Sequence, residues 1–378
     1  MAMTVLSNIV ISARVRRSPF FAATQRYGCK AYSVYNHMYM PLYYQSPEAD
    51  YWHLVNGVTL WDVAVERQVE IVGPDAARFV QLLSPRDLSN CAVGQCKYLL
   101  MTDETGGILN DPVLLKLAED RYWLSLADSD VLLWAKGVAY FGNYDVEIFE
   151  PDVSPLQLQG PLAAAVGEAL FGSALNDLKY FWFAEFELAG MPLIVSRTGW
   201  SGERGYEIYL QNGDDGDRLW ETIMEAGNPH GIAPATPSAI RRIEGGLLSY
   251  GADMNLDNNP YEMNLGRLVD LDQEADFIGK AALARIKKAG ITRRLVGLAV
   301  EGGAAAVPSL ERAAITCDGA PAGRITSAVY SPSLEQTIAL ALVPLAQSGE
   351  GSVLTVESDV VPLSAKVSPL PFVSRKTV

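Results

Sequence analysis

The stretch Arg197-Thr198-Gly199-Trp200-Ser201-Gly202-Glu203-Arg204-Gly205-Tyr206-Glu207-Ile208-Tyr209 gathers three glycines, an indole, two tyrosines and two carboxylates. The glycines permit tight turns and close backbone approach. Residues 206–210 read as a strand that follows them. Side chains alternate across a strand, so Glu207 and Tyr209 share one face while Tyr206 and Ile208 share the other. A carboxylate beside an aromatic ring suits a flat heterocycle with adjacent N–H donors, and a pterin is such a ring. The plainer reading is a surface hairpin carrying one solvated glutamate.

Other elements must hold that stretch in place. Gln68-Val69-Glu70-Ile71-Val72 alternates as a strand. Gly73-Pro74 turns the chain into a run over 76–83 with apolar residues at helical spacing, and Asp75 is its natural N-cap. Residues 121–126 read as a strand, 128–140 as a helix and 146–148 as a strand. The rhythm recurs with 154–159 as strand, Gly160-Pro161 as turn and 162–170 as helix. Strand, Gly-Pro turn and helix, twice over, predict an α+β fold with two pseudo-repeated halves. Residues 285–294 are rich in Arg and Lys and read as a solvated linker, with a cationic shelf for an acidic ligand tail as the rival reading. Beyond them lie short alternating segments such as 295–300, with frequent Gly, Pro and Ser. That tail predicts a small all-β, barrel-like domain.

Composition narrows the function. The 378-residue chain is long enough for two or three domains. Its net charge of −14 offers no basic excess to neutralise phosphates, which argues against nucleic acid as a general partner. No apolar run reaches the length of a membrane span. Cys29, Cys91, Cys96 and Cys317 form no C-x-x-C and read as free thiols. His37, His53 and His230 are far apart, and no metal-ligand spacing occurs, so no metal is expected. Neither a phosphate-binding G-x-x-x-x-G-K-[ST] nor a nucleophile-elbow G-x-S-x-G is present. No acidic residue precedes Glu48, while Arg14, Arg16, Arg17, Arg26 and Lys30 do. That is presequence-like composition, yet Pro19 interrupts it and aromatic-rich sequence follows, so a folded, cytoplasmic N-terminus is expected. Self-association into a homo-oligomer is left open.

Six blocks in order carry a resemblance: Tyr98-Leu99-Leu100-Met101, Gly106-Gly107-Ile108-Leu109-Asn110-Asp111, Leu158-Gln159-Gly160-Pro161, the Arg197-to-Glu207 stretch, Arg242-Ile243-Glu244, and Ile325-Thr326-Ser327 with Ser331-Pro332 and Ile338-Ala339-Leu340-Ala341. Together they resemble the glycine-cleavage T-protein family of tetrahydrofolate-dependent aminomethyltransferases, over nearly the whole chain. Further blocks are similar to the dimethylsulfoniopropionate demethylase branch of that superfamily. They include Arg16-Arg17-Ser18-Pro19-Phe20, residues 30–38, residues 50–54, residues 61–69, Asn110-Asp111-Pro112-Val113, Ala127-Asp128-Ser129-Asp130 and residues 247–251. Ser201-Gly202-Glu203-Arg204 instead looks like the T-protein version of its loop.

The resemblance implies a multidomain folate-binding aminomethyltransferase-like fold. Residues 1–284 would form two intertwined α+β subdomains and 295–378 the C-terminal β-barrel. It implies tetrahydrofolate as cofactor and a small-molecule methyl donor as partner. It places Glu207 as the pterin-reading carboxylate, in accord with the strand-face argument, and Asp111 at the reaction centre, where Asp111 would otherwise be a turn aspartate. Tyr98, Trp200, Tyr209 and Arg242 would line the folate slot. The plainer reading is core packing for the aromatics and an exposed charge pair for Arg242 with Glu244. A methyl sulfonium is an activated donor whose leaving group is a neutral thioether, so catalysis reduces mainly to alignment. Aromatic faces can hold the sulfonium by cation–π attraction, with Tyr32 and Tyr35 the first candidates. The alternatives are aminomethyl transfer from a lipoyl-bearing protein, demethylation of another onium or aryl-methyl compound, and a folate-binding regulator without turnover.

Overall fold

The computed structural model describes residues 13–374. Residues 1–12, on which part of the N-terminal expectation falls, lie outside the described residues. The described chain opens with α1 (Phe21–Arg26), the hairpin β1 (Ala31–Tyr35) and β2 (Met38–Tyr43), α2 (Pro47–Asn56) and β3 (Thr59–Asp62). A first half follows: β4 (Gln68–Val72), α3 (Ala76–Leu83), β5 (Cys96–Tyr98), the short pair β6 (Met101–Thr102) and β7 (Ile108–Asn110), β8 (Val113–Ala118), β9 (Arg121–Ser125), α4 (Val131–Gly142) and β10 (Glu147–Phe149). The second half comprises β11 (Ser154–Gln159), α5 (Ala163–Phe171), β12 (Phe183–Leu188), β13 (Met191–Ser196), β14 (Gly205–Leu210), α6 (Gly216–Gly227) and β15 (Ala233–Ala235).

The two halves repeat a topology. The sheets run β10-β4-β9-β8-β5 and β12-β13-β14-β11-β3-β15. Each half begins with a strand and a helix, and its later strands return antiparallel until the last lies beside the first. β3 breaks the symmetry by wedging between β11 and β15, where β10 sits directly on β4.

Helices cover the outer face of each sheet. Phe79, Val80 and Leu83 of α3 and Val131 and Ala135 of α4 pack with Val69, Ile71 and Leu124. Val166 of α5 and Leu219, Trp220 and Ile223 of α6 pack with Leu156, Leu158, Tyr206 and Ile208. Helical apolar stripes and strand alternation dictate this division. The inner faces then pack on each other through Cys96, Leu115 and Trp123 from one sheet and Ile194 and Tyr209 from the other. The Trp123 and Tyr209 rings lie 6.1 Å apart.

The chain continues through α7 (Ala239–Glu244) and α8 (Lys280–Ala289) into β16 (Arg293–Val300), β17 (Ala314–Cys317), β18 (Ala320–Ser331), β19 (Gln336–Pro344), β20 (Val353–Glu357) and β21 (Leu363–Ser368). These six strands close a barrel in the order β16-β19-β18-β17-β20-β21. Among the described residues no helix is long and apolar enough to cross a membrane.

Three local expectations are corrected. Residues 285–294 are largely solvated, as expected, but they are not a linker. They form the last turns of α8 and the start of β16, where Arg293 Nε meets Glu262 Oε1 at 3.1 Å. Asp75 precedes α3, but its carboxylate accepts from Arg78 and from the Asp145 backbone rather than capping the helix. Arg242 and Glu244 are not an exposed pair, because α7 is seated between the sheets and the barrel and both side chains are buried.

That seat is a clamp of buried charge. Arg241 Nε bonds Glu203 Oε1 at 3.0 Å. Arg242 bonds Asp253 at 2.6 Å and Ser327 of β18 at 2.7 Å. Glu244 accepts from Tyr51 of α2 at 2.9 Å, Ser331 at 2.6 Å and Ser333 at 2.9 Å. Removing one member of such a network strands its partners without water. Glu244→Ala is expected to cost about 3–5 kcal/mol, and Glu244→Gln distinctly less. Urea denaturation checks this, and unchanged midpoints would remove α7 as the anchor.

Candidate active site

One row of side chains crosses the inner face of the second sheet. Register pairs Ser196 of β13 with Glu207 of β14, and Glu207 with Gln157 of β11. Glu207 is buried and richly served by donors. Gln157 Nε2 donates to its Oε1 at 2.7 Å, and Tyr209 Oη donates to its Oε2 at 3.0 Å. Thr198 Oγ1 donates to the same Oε2, and Ser196 stands 3.5 Å away. Loss of hydration pushes this carboxyl up, against the pull of Thr198, Tyr209 and Gln157. The loop before β14 is fixed through Gln159, whose Oε1 accepts from Ser201 at 2.6 Å. A Cβ on Gly199 or Gly205 would lie 2.4 Å from the Gln159 side chain, so both positions need glycine for this close approach.

A second carboxylate joins the row. Glu66 lies four residues beyond the end of β3, and its Oε1 is 3.5 Å from the same Gln157 Nε2. Loss of hydration, then the charges of Glu207 and Asp111, push Glu66 well up. Gln157 is buried, and its Oε1 has no protein partner.

Asp111 follows β7 and completes a trio. Tyr98 Oη donates to its Oδ2 at 2.9 Å, while its Oδ1 is buried with no protein partner. Loss of hydration pushes Asp111 up to about 7 despite the Tyr98 hydrogen bond. Its neighbour Asn110 is structural. It is buried, and its amide donates to the Ala127 carbonyl at 2.9 Å and to Ser129 at 2.9 Å.

The N-terminal hairpin is pinned to the same carbonyl. Asn36 adopts φ 47°, a left-handed turn position that asparagine tolerates, and its amide donates to Ala127 O at 3.1 Å and Val65 O at 3.0 Å. Its backbone N–H donates to Asp128 Oδ1 at 2.8 Å. Tyr35 is thereby carried to the carboxylates. Burial and then Asp111, Glu66 and Asp128 push its hydroxyl up. Tyr250 joins from the loop after α7, its hydroxyl pushed up to about 12 by burial and then by Asp111.

The structure therefore gathers Tyr35, Tyr98, Asp111, Glu207 and Tyr209. Tyr32 lies apart, its hydroxyl 2.7 Å from Thr24 Oγ1 and its ring 5.0 Å from Phe21. Arg242 spends its donors on Asp253, Ser327 and Leu247 O, and its guanidinium lies 5.8 Å from the Trp200 ring. Arg204 reaches Tyr206 Oη at 3.5 Å, on the strand face away from Glu207. Sequence reasoning missed Glu66, Gln157 and Tyr250 as site residues. Gln157 was findable, being three residues before Gly160 on a strand whose pairing with β14 sets it opposite Glu207.

Residues 20–273 match the GCVT N-terminal domain, and residues 293–374 match the glycine cleavage T-protein C-terminal barrel domain. The chain belongs to the glycine-cleavage T-protein family and is an enzyme of that aminomethyltransferase family. Within it, the chain is 43% identical over 354 residues to the dimethylsulfoniopropionate demethylase of Ruegeria pomeroyi, covering 93% of this chain and 96% of that protein. An aminomethyltransferase of Symbiobacterium thermophilum is 35% identical over 345 residues, covering 88% of this chain and 91% of that protein. The crystal structure of glycine cleavage system aminomethyltransferase T from Bartonella henselae superposes with a TM-score of 0.84 at 25% identity, over 96% of this chain and 99% of that one.

The trio has a measurable cost. Asp111 holds its proton to about 7 when folded, against an ordinary 3.8. The folded state therefore binds more protons than the unfolded state between these values, and stability falls as pH rises through that window. Asp111→Asn is expected to be more stable than the native protein at pH 8 by on the order of 1–3 kcal/mol. The gap should narrow as pH falls toward 4. Denaturation midpoints across pH test this, and a gap that is constant or widens at low pH would contradict the assignment.

Proposed function

We propose that the protein moves a methyl group from dimethylsulfoniopropionate, or a close sulfonium relative, to N5 of tetrahydrofolate. One observation carries the reading. The carboxylates of Glu66, Asp111 and Glu207 gather without an ion pair among the described residues, and Gln157 Oε1 and Asp111 Oδ1 have no protein partner. Such a site is complemented by a ring presenting N–H donors and by a positively charged co-substrate.

The residues fit a reduced pterin. Glu207 and the Gln157 carbonyl would read its adjacent N–H groups, with Tyr209 and Thr198 orienting the carboxylate. Tyr98 and Trp200 would supply aromatic walls, with Arg242 setting the Trp200 ring. When bound, tetrahydrofolate supplies the nitrogen that accepts the methyl group, and the sulfur leaves as a neutral thioether. Asp111 Oδ1 would stabilise positive charge at that nitrogen. Tyr35 would hold the onium through its ring. The demethylase relative favours the sulfonium over an aminomethylated lipoyl carrier, because 43% identity spans 93% of this chain.

The test incubates the protein with tetrahydrofolate and dimethylsulfoniopropionate, glycine betaine or aminomethylated lipoyl carrier protein, and follows 5-methyltetrahydrofolate and ammonia. Sulfonium-dependent formation of 5-methyltetrahydrofolate is expected. Turnover of a competitor without turnover of the sulfonium would sink the donor assignment. In the same preparation Glu207→Gln should weaken tetrahydrofolate binding at least about tenfold in calorimetry. Equal affinities would remove Glu207 from the pterin site.

A further inference from the structure

We propose that Glu66 is the specificity-determining residue of this site: with Asp111 it supplies the countercharge that selects a cationic donor over a neutral one of the same shape. This rests on the functional reading above and gives one of its acceptors, Glu66, a role of its own in choosing the donor.

Glu66 is held in a defined place but is left electrically unmatched. Its backbone N–H donates to Val63 O at 2.9 Å, which fixes the turn after β3. Among the described residues its carboxylate takes one hydrogen bond, from Gln157 at 3.5 Å, and no ion pair. Asp111 and Glu207 likewise have no ion pair among the described residues. Three of the neighbouring cations are committed elsewhere. Arg67 Nε bonds Glu150 at 2.9 Å, Arg241 bonds Glu203, and Arg242 bonds Asp253. Like charges gathered in this way disfavour one another until a cation arrives.

A purely structural role does not explain the residue. Gln157 already satisfies Glu207 at 2.7 Å, and a neutral amide at position 66 could accept the same long hydrogen bond. The charge is what only glutamate or aspartate provides. Asn36, next to Tyr35, donates to Val65 O, next to Glu66, and to Ala127 O, which also accepts from Asn110, next to Asp111, so an onium at the Tyr35 ring would lie near both carboxylates. A neutral donor of equal shape would fill the space and leave the repulsion unrelieved.

The test compares dimethylsulfoniopropionate with 4-methylpentanoate, in which carbon replaces the sulfonium sulfur and the carboxylate is kept. Calorimetric titration should show the native protein binding the sulfonium at least about tenfold more tightly. Glu66→Gln should reduce that ratio to about threefold or less, with tetrahydrofolate binding retained and a thermal midpoint no lower than that of the native protein. Glu66→Asp should retain most of the preference. An unchanged ratio in Glu66→Gln would overturn the proposal while leaving the donor reading intact. A native protein with no preference for the sulfonium would overturn both.

Discussion

Three carboxylates gathered without an ion pair among the described residues form the constraint around which this molecule is arranged. Each is held in place by its surroundings. Glu207 is locked in a cross-strand row between Ser196 and Gln157. Asp111 is fixed by Tyr98 and by the buried Asn110 beside it. Glu66 sits on a tight turn at the end of β3. Burial raises the charged form of each in free energy, and at Glu66 the charges of Glu207 and Asp111 add to it. A fold keeps such an arrangement only if the rest of it holds these groups in place, and here the surroundings do so without neutralising the trio.

Two sets of contacts supply that rigidity. Around the site, the Ala127 carbonyl accepts from both Asn36 and Asn110, so one atom ties the hairpin tip to the strand that carries Asp111. Further out, α7 bonds Glu203 of the loop before β14, Tyr51 of α2 and the barrel serines at once. Here buried charges are matched, with every Arg of α7 paired to a carboxylate. Matched charge fixes the frame and unmatched charge marks the site. Both kinds are costly to bury, but the matched pairs lose their stabilising partners if the domains separate.

Much of the frame was legible in the sequence. Strand alternation predicted β4, β11 and β14, and the recurring Gly-Pro turns predicted the duplicated topology. The face carrying Glu207 and Tyr209 followed from period two alone. What escaped was anything set by pairing between distant strands. Glu66 and Gln157 are separated by 91 residues and meet only because β3 wedges beside β11. The basic run at 285–294 misled for a related reason, since Arg293 is matched by Glu262, which local composition does not reveal. Sequence blocks around Asn36, Asn110 and Ala127 resembled one branch of the family, and they converge in space on a single carbonyl.

On the proposed reaction, this layout matches the way charge moves. The positive charge of a sulfonium donor is not created or destroyed in methyl transfer, but passes from sulfur to the accepting nitrogen. A single carboxylate at one end would favour either the bound donor or the product. Carboxylates from two separate segments, Glu66 of the turn after β3 and Asp111 of the loop after β7, can accompany the charge along its path. The electrostatic term then nearly cancels between ground state and transition state, and the barrier depends chiefly on how well nitrogen, carbon and sulfur are aligned. Alignment is the quantity that the Ala127 node and the α7 clamp protect. That is a physical reason for so much buried hydrogen bonding to be invested around a reaction that needs neither a general acid nor a protein nucleophile.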